Sequence, residues 1–356
     1  MMIFKSSSFT SVFANTRALV FALAALVTLT PLSTTVATPA SAAEVQWRLA
    51  HYLQEEHFFA AGWLTDWVEE LERRSDGRIK VDVHPNNSLL RLAAIAPGVR
   101  DGIAEIGFGP APESPALELL ELPFIAESAV HGTHIAMSLL ADQPSVKNDL
   151  AGLHVAVLQT NAPSLIHTKD KPVRVPADLQ GLKMRGATDY IRDMLGVLGA
   201  EPVAGYLAPQ VYGLLEAGTV DGTLWPYEAI RIFNLGEQAN HHTEMYFFVS
   251  VLGLFINAEA LNALPDDLRA VVLDMSGPDV ARSAALEWDQ EEQRGRDKVI
   301  ELGNTILTPT AAQRAAWRRA AQPLIDQRLT ALSRSGFNAN QRYRHLLETA
   351  ASLPTE

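Results

Sequence analysis

The sequence contains no cysteine in its 356 residues. Disulfides, cysteine-ligated zinc, iron–sulfur clusters and a cysteine nucleophile are therefore excluded, as is the acylated cysteine of a bacterial lipoprotein. Basic residues are also scarce: 29 Lys+Arg stand against 41 Asp+Glu, for a formal net charge of −12, and they form no block. Phosphate backbones are gripped by clustered Lys/Arg, so no nucleic-acid partner is expected. There is no G-x-x-x-x-G-K-[ST] loop to cradle ATP phosphates and no G-x-S-x-G elbow to present a serine nucleophile. No cofactor is expected. No apolar run approaches the ~20 residues needed to span a bilayer. Aromatic residues make up only 7%, yet the hydrophobic fraction of 47% is too high for a disordered chain. The length suits about two domains.

Residues 1–42 differ from the rest. They carry Lys5 and Arg17 and no acid, then the apolar run Ala18 to Val27, then a Thr/Ser/Pro stretch ending in Ala40-Ser41-Ala42. A basic region, an apolar core and small residues at a cleavage point make a secretory signal. The expected mature chain begins after Ala42, exported to the periplasm and soluble.

Val45 to Ala50 reads as a strand, and Gly62 to Arg73 switches to helical spacing through Leu64, Trp67, Val68 and Leu71. Arg78 to Val83 alternates as a strand, ahead of a turn at His84-Pro85-Asn86-Asn87. Ala93 to Arg100 reads as a helix and Gly102 to Phe108 as a buried strand. This β-α-β-α-β order is that of a parallel sheet covered by helices. A similar order returns later. Val155 to Gln159, Gly181 to Arg185, Pro202-Val203 and Val220 to Trp225 read as strands; Ala187 to Leu198 and Pro209 to Ala217 read as helices. From Pro265 the pattern turns helical, at Asp266 to Met275, Val280 to Leu302, Thr310 to Ser333 and a helical tail. Two α/β units in an exported chain point to a two-lobed binding protein.

Three connected motifs carry a resemblance. Asp178-Leu179-Gln180-Gly181-Leu182-Lys183-Met184-Arg185 resembles the D-L-x-G-x-K-x-R segment of the solute-binding proteins of TRAP (tripartite ATP-independent periplasmic) transporters. Leu198-Gly199-Ala200-Glu201-Pro202-Val203 is similar to that family's x-G-A-x-P-V strand. Gln210 to Gly222 (QVYGLLEAGTVDG) is similar to its E-V-Y-x-A-L-x-x-G-x-V-D-G signature. Weaker likenesses at Gly77-Arg78-Ile79, Val99 to Gly102, Leu122-Pro123-Phe124 and Ala263-Leu264-Pro265 extend the resemblance over roughly 45–330. It implies an α/β, two-lobed periplasmic binding fold with the ligand cleft between the lobes and C-terminal helices packed on them. The expected division is 43–162 for the first part of lobe I, 163–250 for lobe II, 251–290 for the return to lobe I and 291–356 for the C-terminal helices. The implied role is capture of a small organic acid and its delivery to a small and a large membrane subunit. A receptor feeding a sensor kinase and an exported enzyme on a similar scaffold are the alternatives; the leading reading involves no catalysis.

Arg185 is the leading candidate for binding. It ends an apolar strand, where ligands of α/β sheets sit, and a guanidinium grips a carboxylate through two parallel hydrogen bonds. Spacing alone fits equally a surface arginine paired with Asp189 or Glu201; the resemblance assigns the position to the carboxylate clamp. Trp225 ends another strand where many relatives have Asn. A flat apolar face with one N–H donor favours a monocarboxylate with an apolar or aromatic body; a core tryptophan is the alternative. Gln210 stands where relatives have Glu, as a cleft residue or a helix cap. Tyr52 and His57 follow the first strand, which borders the cleft in the family, and His167 lies near where some relatives supply a second arginine. Phe248 is placed on a strand returning to the first lobe. His131-x-x-His134 and His241-His242 lack the spacing and acidic third ligand of a zinc site, so no metal is expected.

Overall fold

The computed structural model describes residues 43–334 and 336–355. The secretory signal read at 1–42 lies outside them. Two sheets organise the chain. The first comprises β1 (Val45–His51), β2 (Ile79–His84), β3 (Ile106–Pro110), β4 (Leu153–Thr160) and β10 (Val251–Asn257), in the order β2-β1-β3-β10-β4. The second comprises β5 (Leu165–Thr168), β6 (Lys183–Arg185), β7 (Glu201–Val203), β8 (Gly222–Trp225), β9 (His241–Thr243) and β11 (Thr305–Leu307), in the order β11-β9-β5-β8-β6-β7. Helices α1 (Thr65–Arg74), α2 (Ile95–Arg100), α3 (Pro115–Leu120), α4 (Ala129–Asp142), α5 (Pro144–Asp149), α9 (Ala258–Asn262) and α10 (Asp266–Asp274) belong to the first sheet. Helices α6 (Asp189–Val197), α7 (Val211–Glu216) and α8 (Tyr227–Ile232) belong to the second. The chain closes with α11 (Pro278–Glu301), α12 (Ala311–Ser333) and α13 (Ala339–Ser352).

Strand direction positions the site. β1 and β3 run parallel, β10 runs antiparallel to β3, and β4 runs antiparallel to β10. The carboxyl ends of β1, β3 and β4 therefore share one edge. In the second sheet β6 and β8 are parallel, and β5 opposes both β8 and β9, so β6, β8 and β9 end on one edge where β5 begins. The chain passes from β4 to β5 through 161–164 and returns from β9 to β10 through 244–250. Four residues span at most about 14 Å, so the two carboxyl edges face each other across a narrow gap.

The crossing segments are bonded into a strap. Ser164 donates from N–H to Phe248 O (2.8 Å), Phe247 N–H to Ser164 O (2.9 Å) and Asn161 N–H to Ser250 O (3.3 Å). Phe124 joins from the other side, donating its N–H to Phe247 O at 2.8 Å. Its φ of 69° is left-handed, a conformation costing an aromatic residue about 1–3 kcal/mol, and its ring packs against Phe247 at 5.5 Å. The segment around Phe248 is thus extended backbone between β9 and β10, outside both sheets.

α11 is the spine of the fold. It packs against α4 and β4 on one side and α8 on the other. Gly295 permits this approach, since a Cβ there would lie 2.3 Å from Tyr227 O. Asp289 accepts from the N–H groups of Ala129 (2.7 Å) and Val130 (2.9 Å) at the start of α4, and Glu292 from Glu228 N–H (3.0 Å) at the start of α8. Carboxylates at helix N-termini are favoured by orphan N–H groups and the dipole. The helix runs unbroken through positions 290 and 291. α12 inserts Trp317 into the core of the second sheet, and α13 packs on α3 and α4.

Most expected elements lie within a few residues of their predicted places. The strand predicted from Gly102 begins at Ile106, because Gly102 (φ 73°) completes a turn. The segment 92–100 opens as a short 3₁₀ turn and continues as α2, with Pro97 at its third position, where a missing N–H leaves no helical bond unmade.

Candidate functional site

Strand alternation builds the second lobe's wall. Met184 and Leu224 enter one core of the sheet, with α6 and α12. Arg185, Thr223 and Trp225 project to the other face. Gly222 admits the close pairing with β5: a Cβ there would meet His167 O at 2.3 Å. Arg185 and Thr223 are direct partners in the β6–β8 register.

Arg185 is only 5% exposed and forms no ion pair among the described residues. Asp189 pairs with Arg192 instead, so the surface pairing that spacing alone allowed does not form. Among the described residues the Arg185 Nε is buried without a partner, and the guanidinium makes one long hydrogen bond, from Nη2 to Tyr206 O (3.5 Å). Its guanidinium carbon lies 4.3 Å from the centre of the Trp225 ring. Burial pulls its pKa down to about 10, so it remains a cation at neutral pH. The Thr223 hydroxyl beside it is buried and equally unmatched. A buried charge and a buried hydroxyl, side by side and unsatisfied, are costly unless an anion completes them. Trp225 is half-buried and also stacks on Phe233 (5.4 Å, 14°).

The core of the first lobe contains a cluster of rings, with Tyr52 packed against it. Phe59 stacks on Phe108 (4.7 Å) and on Trp288 (5.2 Å). Tyr52 stacks on Phe108 at 6.2 Å. Its hydroxyl is pushed up by burial and then by the charge of Glu228, which lies at the start of α8 on the second lobe. His57 packs on Phe58 (4.6 Å) and Trp288 (5.8 Å). Its Nδ1 accepts from Phe59 N–H (3.2 Å), and burial lowers its pKa to about 4.

The remaining sequence candidates lie apart from this constellation. His167 is fully buried, with Nε2 2.8 Å from Trp225 O and Nδ1 2.7 Å from His242 Nδ1. A carbonyl only accepts, so His167 donates to it from Nε2 and accepts at Nδ1 from His242. His242 Nε2 then accepts from Asn304 (3.0 Å). Both rings are neutral donor–acceptor links, consistent with the downward shift that burial imposes on them. His167 has no free nitrogen for a ligand and holds the backbone of Trp225. Gln210 is exposed, and its Oε1 accepts from Leu207 N–H (2.7 Å), capping the 3₁₀ turn Ala208–Gln210. Phe248 lies in the strap, edge-on to Tyr190 at 5.7 Å, and lines a separate cavity of about 410 Å³ with Glu121 and Ser250.

His131 Nε2 donates to Ala350 O (2.9 Å) and His134 Nδ1 to Pro354 O (3.2 Å), tying down the C-terminal segment. No group of three or more His, Asp or Glu poised for a metal occurs among the described residues.

Sequence reasoning missed Thr223, Gln159 and the rings of Phe59, Phe108 and Trp288, and it named Glu228 only as an oxygen donor to a cation beside the ligand. The polar residue closing the apolar run of β4 was the one visible sign of Gln159. The others depend on register and on chain segments far apart.

Glu228 and Glu292 hold their protons up to about pH 8, chiefly because of burial. A carboxyl raised in this way favours folding fully below the unfolded value of about 4.5, and that contribution is lost as pH rises through 8. The buried imidazoles His51, His57 and His167, lowered to about 4, act in the opposite sense, and their contribution is complete above the unfolded value of 6.5. Between pH 6.5 and 8.5 the carboxyls alone act, so the Tm of the unliganded protein is expected to fall. Glu228→Gln should flatten the fall. Calorimetry at both pH values checks this, and a Tm that rises over the interval contradicts it.

Two α/β sheets with facing carboxyl edges, joined by a bonded strap and lined by an unmatched buried cation, define a two-lobed solute-binding protein. The chain belongs to the bacterial extracellular solute-binding proteins of family 7, the DctP family, whose model matches residues 49–330. It is 25% identical over 315 residues to the C4-dicarboxylate-binding periplasmic protein DctP of Rhodobacter capsulatus, covering 86% of this chain and 92% of that protein. A marine metagenome TRAP solute binding protein specific for aromatic acid ligands, solved with metahydroxyphenylacetate, is 27% identical over 86% of this chain and 98% of its own, with a TM-score of 0.78. A TRAP solute binding protein from Rhodoferax ferrireducens, solved with copurified benzoate, is 25% identical over 86% and 97%, with a TM-score of 0.76. The chain is thus a solute-binding protein of the TRAP type.

Proposed function

We propose that this protein is the extracytoplasmic receptor of a TRAP transporter, taking up a monocarboxylate with an aromatic or apolar body. The observation carrying this reading is the buried Arg185, a cation without an anion, flanked by the unmatched Thr223 hydroxyl and laid over Trp225. The ligand carboxylate docks on the guanidinium fork and the hydroxyl, and its body lies against the part of Trp225 left open by Arg185 and Phe233. The ring cluster of the first lobe, with Tyr52 and His57, closes over it and excludes water. The aromatic acids held by two similar proteins support the choice of ligand class. Closure favours the bound state through contacts that exist only when the lobes meet. The mature chain is released into the periplasm after cleavage near Ala42 and passes its cargo to the small and large membrane subunits.

The test is a thermal-shift screen of residues 43–356, unfolded and refolded first to remove carried ligand. At 100 times its dissociation constant a ligand adds about 2.7 kcal/mol, so aromatic monocarboxylates should raise the Tm by several degrees. A folded protein that answers to none of a broad set of acids overturns the reading. Trp225→Asn removes the flat face, and affinity for benzoate should fall about tenfold, against a smaller loss for acetate or lactate measured by calorimetry. Equal losses would show that Trp225 is not in contact with the ligand body.

A further inference from the structure

Gln159 is the penultimate residue of β4, at the edge of the first sheet that faces the second. It is 0% exposed, and neither its Oε1 nor its Nε2 has a partner among the described residues. Its neighbours have partners. Thr160 donates its N–H to Thr133 Oγ1 (3.0 Å), and its hydroxyl donates to Ala129 O (3.2 Å). A carboxamide can both accept and donate. Leaving both functions unmatched in a buried place costs more than an apolar residue of the same shape would.

Register fixes the direction in which Gln159 points. Its partner across β10 is Leu252, and Val157, two residues earlier, faces Leu254, the partner of Phe108. Directly opposed residues share a face, so Gln159 stands on the face that carries Phe108 and, through it, Tyr52 and Phe59. Trp288, stacked on Phe59, adds a second unmatched donor, its buried Nε1. Two unmatched polar side chains, Gln159 and Trp288, thus stand among these rings in the lobe opposite Arg185.

We infer that Gln159 forms a second polar subsite, taking a hydroxyl at the end of the ligand away from its carboxylate, so that the preferred cargo is a hydroxylated aromatic monocarboxylate. The inference rests on Arg185 holding the carboxylate. A phenolic hydroxyl can donate to the Gln159 Oε1 or accept from its Nε2, so it finds a partner in either orientation of the carboxamide. A keto oxygen, which only accepts, finds one only at Nε2.

The experiment is calorimetric titration of the mature protein with benzoate, 3-hydroxybenzoate and 4-hydroxybenzoate, repeated on Gln159→Met. The parent should bind one of the hydroxybenzoates about tenfold or more tightly than benzoate, since a site built for a hydroxyl discriminates against the analogue lacking it. Gln159→Met should reduce that preference to below about twofold, leave benzoate affinity equal or improved, and keep or raise the unliganded Tm. Gln159→Leu gives the same comparison if the methionine variant does not fold. A hydroxyl preference unchanged in the variant, or no preference in the parent, overturns the subsite while leaving the carboxylate reading intact. Absence of binding by all three acids overturns the carboxylate reading itself.

Discussion

Arg185→Ala is expected to weaken binding of every carboxylate ligand by at least tenfold. A charge-assisted hydrogen bond is worth roughly 1.5–3 kcal/mol, and Arg185 offers two in parallel. The same position gives a second, opposite result in the unliganded protein. Because the guanidinium is buried with no anion, it destabilises the empty fold, as its lowered pKa of about 10 records. Arg185→Met keeps the apolar stem that packs near Trp225 and removes the charge. Its Tm without ligand should therefore equal or exceed that of the parent, while its binding is lost. Titration calorimetry and thermal unfolding on one preparation test both halves. Full affinity in either variant removes Arg185 from the site. Lost binding together with a sharp fall in unliganded Tm would mean that Arg185 is a structural residue whose removal damages the lobe.

Trp317→Ala is expected to cause the largest loss of stability. The side chain is fully buried in the core beneath the second sheet. It meets Phe247 edge-on at 5.4 Å and donates Nε1–H to Arg174 O at 3.0 Å. Emptying such a site costs about 3–5 kcal/mol, and the Arg174 carbonyl loses its donor as well. Chemical denaturation should show the loss as a shifted midpoint. A change below about 1 kcal/mol would mean that α12 is a detachable appendage. Phe247 is part of the strap, so the variant should also bind its acid more weakly with Arg185 untouched.

The features legible in the sequence were those set by local pattern. Strand and helix spacing located most elements, and the motif ending in Arg185 singled that residue out, because its chemistry and its strand-end position are both local. Burial was not legible. The i,i+3 pairing of Asp189 with Arg192 was open to local reading, but the burial of Arg185 without an anion was not. His167 looked available because its partners, His242 and Asn304, are supplied by residues far along the chain. Gln210 was open between cleft and cap, and Pro209 at the start of its turn decides for the cap. Val280 to Leu302 was visible as a long helix, while its work as a spine depends on Gly295, Asp289 and Glu292 meeting two separate helices. Gln159 ends an apolar run, but only register across β10 tells which way it faces.

The strap of 161–164, 244–250 and Phe124 determines how the two sheets can move. Its segments are bonded edge to edge, so twisting or sliding one past another would break those bonds, whereas flexing the whole ply leaves them intact. The sheets can swing along one arc, as the boards of a book turn about its spine, and they return to the same registration each time. A given residue of one edge therefore always meets the same residue of the other. Selectivity for cargo is inherited from the binding of the book as much as from what is written on its facing pages.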